Sequence, residues 1–109
     1  MATTYKVLGQ SNPSATTLTT LYTVPSATTA VISSIVIANR DSASATYRIA
    51  VRPDGAAIAN SQYIAYNVTV GASDSTVLTL GITMDAADVL TVYASTANLT
   101  FSAFGSEIS

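Results

Sequence analysis

Three of the four basic residues in this 109-residue chain, Arg40, Arg48 and Arg52, fall within thirteen positions. A guanidinium is planar and pairs bidentately with carboxylates, so such a group suits docking on an acidic partner. The competing use is internal: pairing with Asp41 and Asp54, or laying the side-chain stems over nearby Thr and Ala methyl groups. A nucleic-acid site would need more basic residues interleaved with stacking aromatics. Only Tyr47 is close by, and a net charge of −2 gives no general attraction for phosphate. Arg40, Arg48 and Arg52 are therefore the candidate partner-contact residues, and nucleic acid is not expected as a partner.

Catalysis has little to work with. The chain contains neither His nor Cys, which removes the common nucleophile–base pairs, disulfides and zinc–thiolate sites. Lys6 is the one non-carboxylate base that could activate a serine. Asp85 and Asp88 stand three apart, a spacing open to calcium or acid/base chemistry. A solvated turn capped by Asp85 is the expected role instead. Asn67-Val68-Thr69 and Asn98-Leu99-Thr100 match the glycosylation pattern, as chance allows in a Thr-rich chain. The tyrosines Tyr5, Tyr22, Tyr47, Tyr63, Tyr66 and Tyr93 raise the possibility of a sugar platform. Tyr63 and Tyr66, however, are an odd number apart and would face opposite ways in a regular strand. No catalytic, cofactor-binding or metal-binding residue is assigned, no cofactor is expected, and the chain is not expected to be an enzyme.

The elements that position these residues are short and β-rich. Segments 5–10, 17–24, 30–40, 45–52, 62–70, 75–83, 88–96 and 99–108 are dominated by Val, Ile, Thr, Tyr and Phe, as strands prefer. Small polar residues separate them, and Pro53-Asp54-Gly55 is a turn with matching chemistry. No helical periodicity persists. This predicts an all-β fold, an antiparallel β-sandwich or jelly roll of about eight short strands, as one domain over residues 1–109 with an N-terminal arm at 1–4. Within 46–52, alternation places Tyr47, Ile49 and Val51 on the core side and Arg48 and Arg52 outside. Arg40 would lie near them if 30–40 and 45–52 pair as a hairpin. Segment 30–40 should be central in its sheet, with Val31, Ile35 and Ile37 on one face and Ile32 and Val36 on the other.

Composition bears on partners. Charged residues are only 9% of the chain, where roughly 25% is ordinary. A surface that poor in charge has little protection against self-association, so much of it is expected to be covered. The folded monomer should expose on the order of 5,700 Å². A membrane partner is not expected. The longest apolar run, 30–38, is interrupted by Ser33 and Ser34 and is far shorter than the roughly 20 residues of a membrane helix. The opening "MATTYKVLGQ" shows no export signal, and the strands are too short, with aromatics too scattered, for an outer-membrane barrel.

The opening "MATTYKVLGQ", the central "YRIAVRPDGAAIAN", "TLGITMDAADVLTVYAS" and the ending "TFSAFGSEIS" resemble small Ala/Thr-rich virion structural proteins of tailed bacteriophages. The resemblance spans nearly the whole chain and carries no catalytic motif. It implies a non-enzymatic role in the virion, assembled in the host cytoplasm. The partners it implies are other copies of the chain, in a homo-oligomer, and other virion proteins, including the major capsid protein. A capsid cement or decoration protein is the first role implied. A neck, tail or baseplate accessory, or a virion-surface adhesion or carbohydrate-binding module, is the alternative.

Overall fold

The computed structural model describes residues 2–109. Eight strands form: β1 (Thr3–Ser11), β2 (Thr19–Thr23), β3 (Thr29–Asn39), β4 (Ala45–Arg52), β5 (Tyr63–Val70), β6 (Ser75–Met84), β7 (Val89–Ala94) and β8 (Leu99–Ile108). Two single 3₁₀ turns, Pro53–Gly55 and Asn60–Gln62, lie between β4 and β5. The strands make two four-stranded antiparallel sheets, β1-β8-β3-β6 and β2-β7-β4-β5. Laid side by side, the two orders align β1 with β2, β8 with β7, β3 with β4 and β6 with β5. This is the order of a jelly roll, in which a long antiparallel ribbon wraps over itself.

The alternation read from the sequence builds the core. Tyr47 and Ile49 of β4 are buried, Val51 is partly buried, and Arg48 and Arg52 turn outward. Tyr47 meets Phe101 of the opposite sheet edge-on, with ring centroids 6.3 Å apart. Ile32, Ile35, Ile37, Leu90, Leu99 and Met84 are fully enclosed with them. Asn39 is buried at one end of the sandwich. Its amide donates to the carbonyls of Ala43, Val70 and Gly71, and its side-chain oxygen accepts from the Asp41 N–H. Every buried side-chain N or O atom among the described residues has a partner, as a stable core requires.

Three expectations change. First, β3 is central, flanked by β8 and β6, but its faces are not the regular ones. The register slips between Ile32 and Ser34, and the extra residue moves Ile32 onto the buried face with Ile35 and Ile37 while Val31 stays partly exposed. A bulge inverts the inside–outside pattern of everything on one side of it. Opposite the bulge, Gly105 lies so close to β3 that a Cβ would collide with the Val31 carbonyl. Second, β3 and β4 do not form a hairpin. They lie in different sheets, because the short loop 40–44 crosses from one sheet to the other. Third, Ala2, Thr3 and Thr4 are not a free arm. Thr3 and Thr4 pair with Ile108 and Glu107 in the β1–β8 ladder, and Ala2 exchanges backbone hydrogen bonds with Ser109. Met1 lies outside the described residues.

The two lateral sides of the sandwich differ. On the β1/β2 side, Glu107 accepts from the Tyr22 hydroxyl at 2.5 Å and from Lys6 Nζ at 3.1 Å, joining β8, β2 and β1 across the two sheets. On the β5/β6 side no ion pair and no bond between two side chains joins the sheets among the described residues; the Asn39 amide reaches backbone carbonyls at one end only. Leu78, Leu80 and Ile82 of β6 and Ala65 of β5 pack against the core yet remain partly exposed.

Candidate functional site

The three arginines do not form one patch. Arg40 sits in the loop end of the sandwich, where its Nη2 donates to Asn12 Oδ1 at 3.1 Å and to the Ala97 carbonyl at 3.4 Å. Asn12 itself donates to the carbonyls of Ala97 and Leu99. Arg40 therefore ties the β1–β2 loop to the β7–β8 loop. Its neighbour Asp41 accepts from the Asn98 amide at 3.0 Å. That bond, followed by the Ser42 N–H, holds the Asp41 carboxyl below its ordinary range.

Arg52 closes the other end of β4. Its Nε donates to the Ala56 carbonyl at 2.7 Å, Nη2 to Gly55 at 3.1 Å and Nη1 to Thr91 Oγ1 at 3.5 Å. These bonds hold the Pro53–Gly55 turn, whose Asp54 has a left-handed φ of 55°. Among the described residues neither Asp41 nor Asp54 forms an ion pair with an arginine. Asp88 takes the neighbouring role: its two carboxylate oxygens accept from the backbone N–H groups of Asp54 and Asp85, each at 2.8 Å. Asp85 in turn accepts from the Ala86 N–H. The Asp85/Asp88 pair is thus occupied in shaping a turn, as expected. No group of three or more metal-ligating side chains exists among the described residues.

Arg48 is different. It projects from the middle of β4 with Tyr66 of β5 on one side and Tyr93 of β7 on the other. Its Cζ lies 4.3 Å and 4.2 Å from the two ring centroids. Its Nε donates to Asn67 Oδ1 at 2.8 Å. Two cation–π contacts and one hydrogen bond fix the guanidinium plane. The terminal nitrogens Nη1 and Nη2 have no hydrogen-bond partner among the described residues, and no carboxylate pairs with the charge. The one ion pair among those residues is Lys6–Glu107.

Next to Arg48 lies a feature that strict alternation hides. Tyr63 and Tyr66 share a face, with centroids 4.9 Å apart and planes at 84°. The cause is two register slips in the β4–β5 pairing. From Tyr47 to Ala50, β4 advances three residues, while its partners run from Val68 to Tyr63, five residues. Asn67, with φ 53°, absorbs part of the distortion. Asn tolerates that conformation better than most residues, so Asn67 was the sequence signal available. With Asn60, the two rings line an open hollow of about 350 Å³. Tyr63, Tyr66, Arg48 and Tyr93 form a continuous aromatic and cationic strip on the outer face of this sheet.

No protein-family model matches the chain, and no curated protein is significantly similar to it in sequence.

Proposed function

We propose that this chain is a non-enzymatic structural subunit of a tailed-phage virion. It works as a homo-oligomer or a repeated copy that binds its own kind and other virion proteins, as a capsid cement or decoration protein does. One observation supports this most: the uncovered β5/β6 side. Leu78, Leu80 and Ile82 line its rim from within, while Val68 and Ile64 of β5 and Val77 of β6 are exposed, Val77 to 61%. Neither β5 nor β6 contains a charged residue. Edge strands in proteins that remain monomeric are usually guarded by charge or proline. An unguarded apolar rim on a domain of 5383 Å² fits a surface covered by neighbours, each standard contact hiding about 800 Å² per partner. The jelly roll is compatible with this role, since it serves viral coat domains as well as lectins, but a fold alone selects neither.

The test combines sedimentation with localisation in particles. The wild-type chain is expected to sediment as an oligomer and to be found in purified virions at a repeated position. Val68→Lys with Val77→Lys should fold with the same circular dichroism yet sediment as a monomer. A wild-type chain that stays monomeric at high concentration and is absent from purified virions overturns the reading.

A further inference from the structure

We propose that the outer face of the β2-β7-β4-β5 sheet carries a binding site for a carboxylate-bearing sugar. Tyr63 and Tyr66 are its stacking corner and Arg48 is the group that recognises the acid. The site goes beyond the structural role above and does not depend on it.

Three observations converge. The rings of Tyr63 and Tyr66 meet at 84° and, with Asn60, line a hollow of about 350 Å³, within the range of small-molecule sites. A pyranose presents C–H groups to an aromatic face and hydroxyls to its rim, where the Asn60 amide and the tyrosine hydroxyls can donate and accept. Second, Tyr66 is shared: its ring lines the hollow and also lies against Arg48, so the cation stands one ring away from it. Third, Arg48 is oriented before any ligand arrives, by Tyr93, Tyr66 and the Asn67 oxygen. Orientation in advance lowers the ordering cost of binding. Its terminal nitrogens remain as a fork matched to one carboxylate.

The combination selects the ligand class. An Asp or Glu of a protein partner would satisfy Arg48 but leave the tyrosine corner unfilled. A neutral sugar would fill the corner and leave the guanidinium fork without an acceptor. A polyphosphate backbone finds one isolated cation on a chain of net charge −2, too little to hold it. A sugar acid, such as a hexuronic acid in a polysaccharide, uses both halves.

The experiment is an NMR titration of the isotope-labelled protein at low ionic strength. The probes are tetragalacturonic acid and its fully methyl-esterified counterpart, which has the same rings without the charge. The acid is expected to shift the amides of Arg48, Asn60, Tyr63, Tyr66, Asn67 and Tyr93 and to bind at least tenfold more tightly than the ester. Arg48→Gln should erase that preference, and Tyr63→Ala should weaken both ligands. Arg48→Lys keeps the charge but not the fork and should lose most of the preference; it carries the test if the glutamine variant fails to fold. The proposal is overturned if neither ligand shifts these amides, if acid and ester bind equally, or if Arg48→Gln leaves the preference intact. It is also overturned if the same amides shift only with protein concentration, which would assign the strip to contacts between copies.

Discussion

The two lateral sides of the sandwich solve one problem in opposite ways. Where β1 meets β2, Leu8, Leu21 and Tyr22 are buried, and Glu107 links the sheets through Tyr22 and Lys6. Where β5 meets β6, Leu78, Leu80 and Ile82 stay half-covered, and the polar tie between the sheets there is the Asn39 amide reaching the Val70 and Gly71 carbonyls at one end. One side is finished within the chain. The other has the composition of a core margin that awaits a partner, and the difference lies in two β5 bulges and a charge-free β6 rather than in hydrophobicity alone.

The largest effect would come from the core that both sides share. Ile35→Asp buries an unpaired charge at a fully enclosed position, costing several kcal/mol out of a total near 5–15 kcal/mol. The variant should lack a cooperative thermal transition. Truncations then separate the sides. Leu21→Ala on the closed side should cost about 2–4 kcal/mol by urea unfolding of the monomer. Leu80→Ala on the open side should cost less than about 1.5 kcal/mol, because less of its surface leaves water on folding. Equal costs would mean that both sides are equally closed.

Tyr22→Phe tests the link itself. Glu107 would lose its hydroxyl donor, for a loss of about 1–3 kcal/mol. The pH profile supplies a second reading. The Tyr22 hydroxyl, then Lys6, hold the Glu107 carboxyl below its ordinary range. The unfolded chain therefore protonates this group first as pH falls. Its contribution is complete above the unfolded value near ~4.3 and declines as pH drops through the lower folded value. Tyr22 shows the opposite limb. Burial first, then the bond to Glu107, raise its pKa, so its contribution is complete below about pH 10 and is lost at higher pH. Melting temperature followed across pH should therefore fall at both extremes, and less steeply in Tyr22→Phe. The smallest effect belongs to Lys6→Ala. The Lys6 side chain is 46% exposed, and its removal should change stability by less than about 1 kcal/mol.

Most of the fold was legible because period-two patterning is local. The alternation in 45–52 correctly set Tyr47 and Ile49 inside and Arg48 and Arg52 outside, and all eight strand segments are present. The bulges were not legible. Ser33-Ser34 interrupts the apolar run of β3, but the sequence does not say that the interruption shifts Ile32 to the core face; the pairing with β8 and β6 decides that. The same holds for Tyr63 and Tyr66, whose shared face depends on β4 advancing three residues against five. Arg40 was grouped with Arg48 and Arg52 by proximity in sequence, whereas the sheet assignment of β3 and β4 separates them. Alternation reports which way a side chain points from its own strand; register and sheet membership belong to pairs of strands.

The place of β8 in its sheet has a consequence for how the chain is made. β8 is synthesised after the other seven strands, yet it lies between β1 and β3. While a ribosome still holds residues 99–108, the first sheet lacks the strand that joins its first edge to its middle. β1 must wait, its ladder unformed, until β8 has been made. The second sheet is better placed, since β7 can join β2 to β4 before β8 emerges. Pairings between distant parts of a chain form slowly, and a nascent chain stalled before residue 99 would expose Ile32, Ile35 and Ile37 with no completed layer beside them. Folding of the first sheet should therefore finish only once β8 is free to pair, and chains truncated ahead of β8 should be the ones that aggregate.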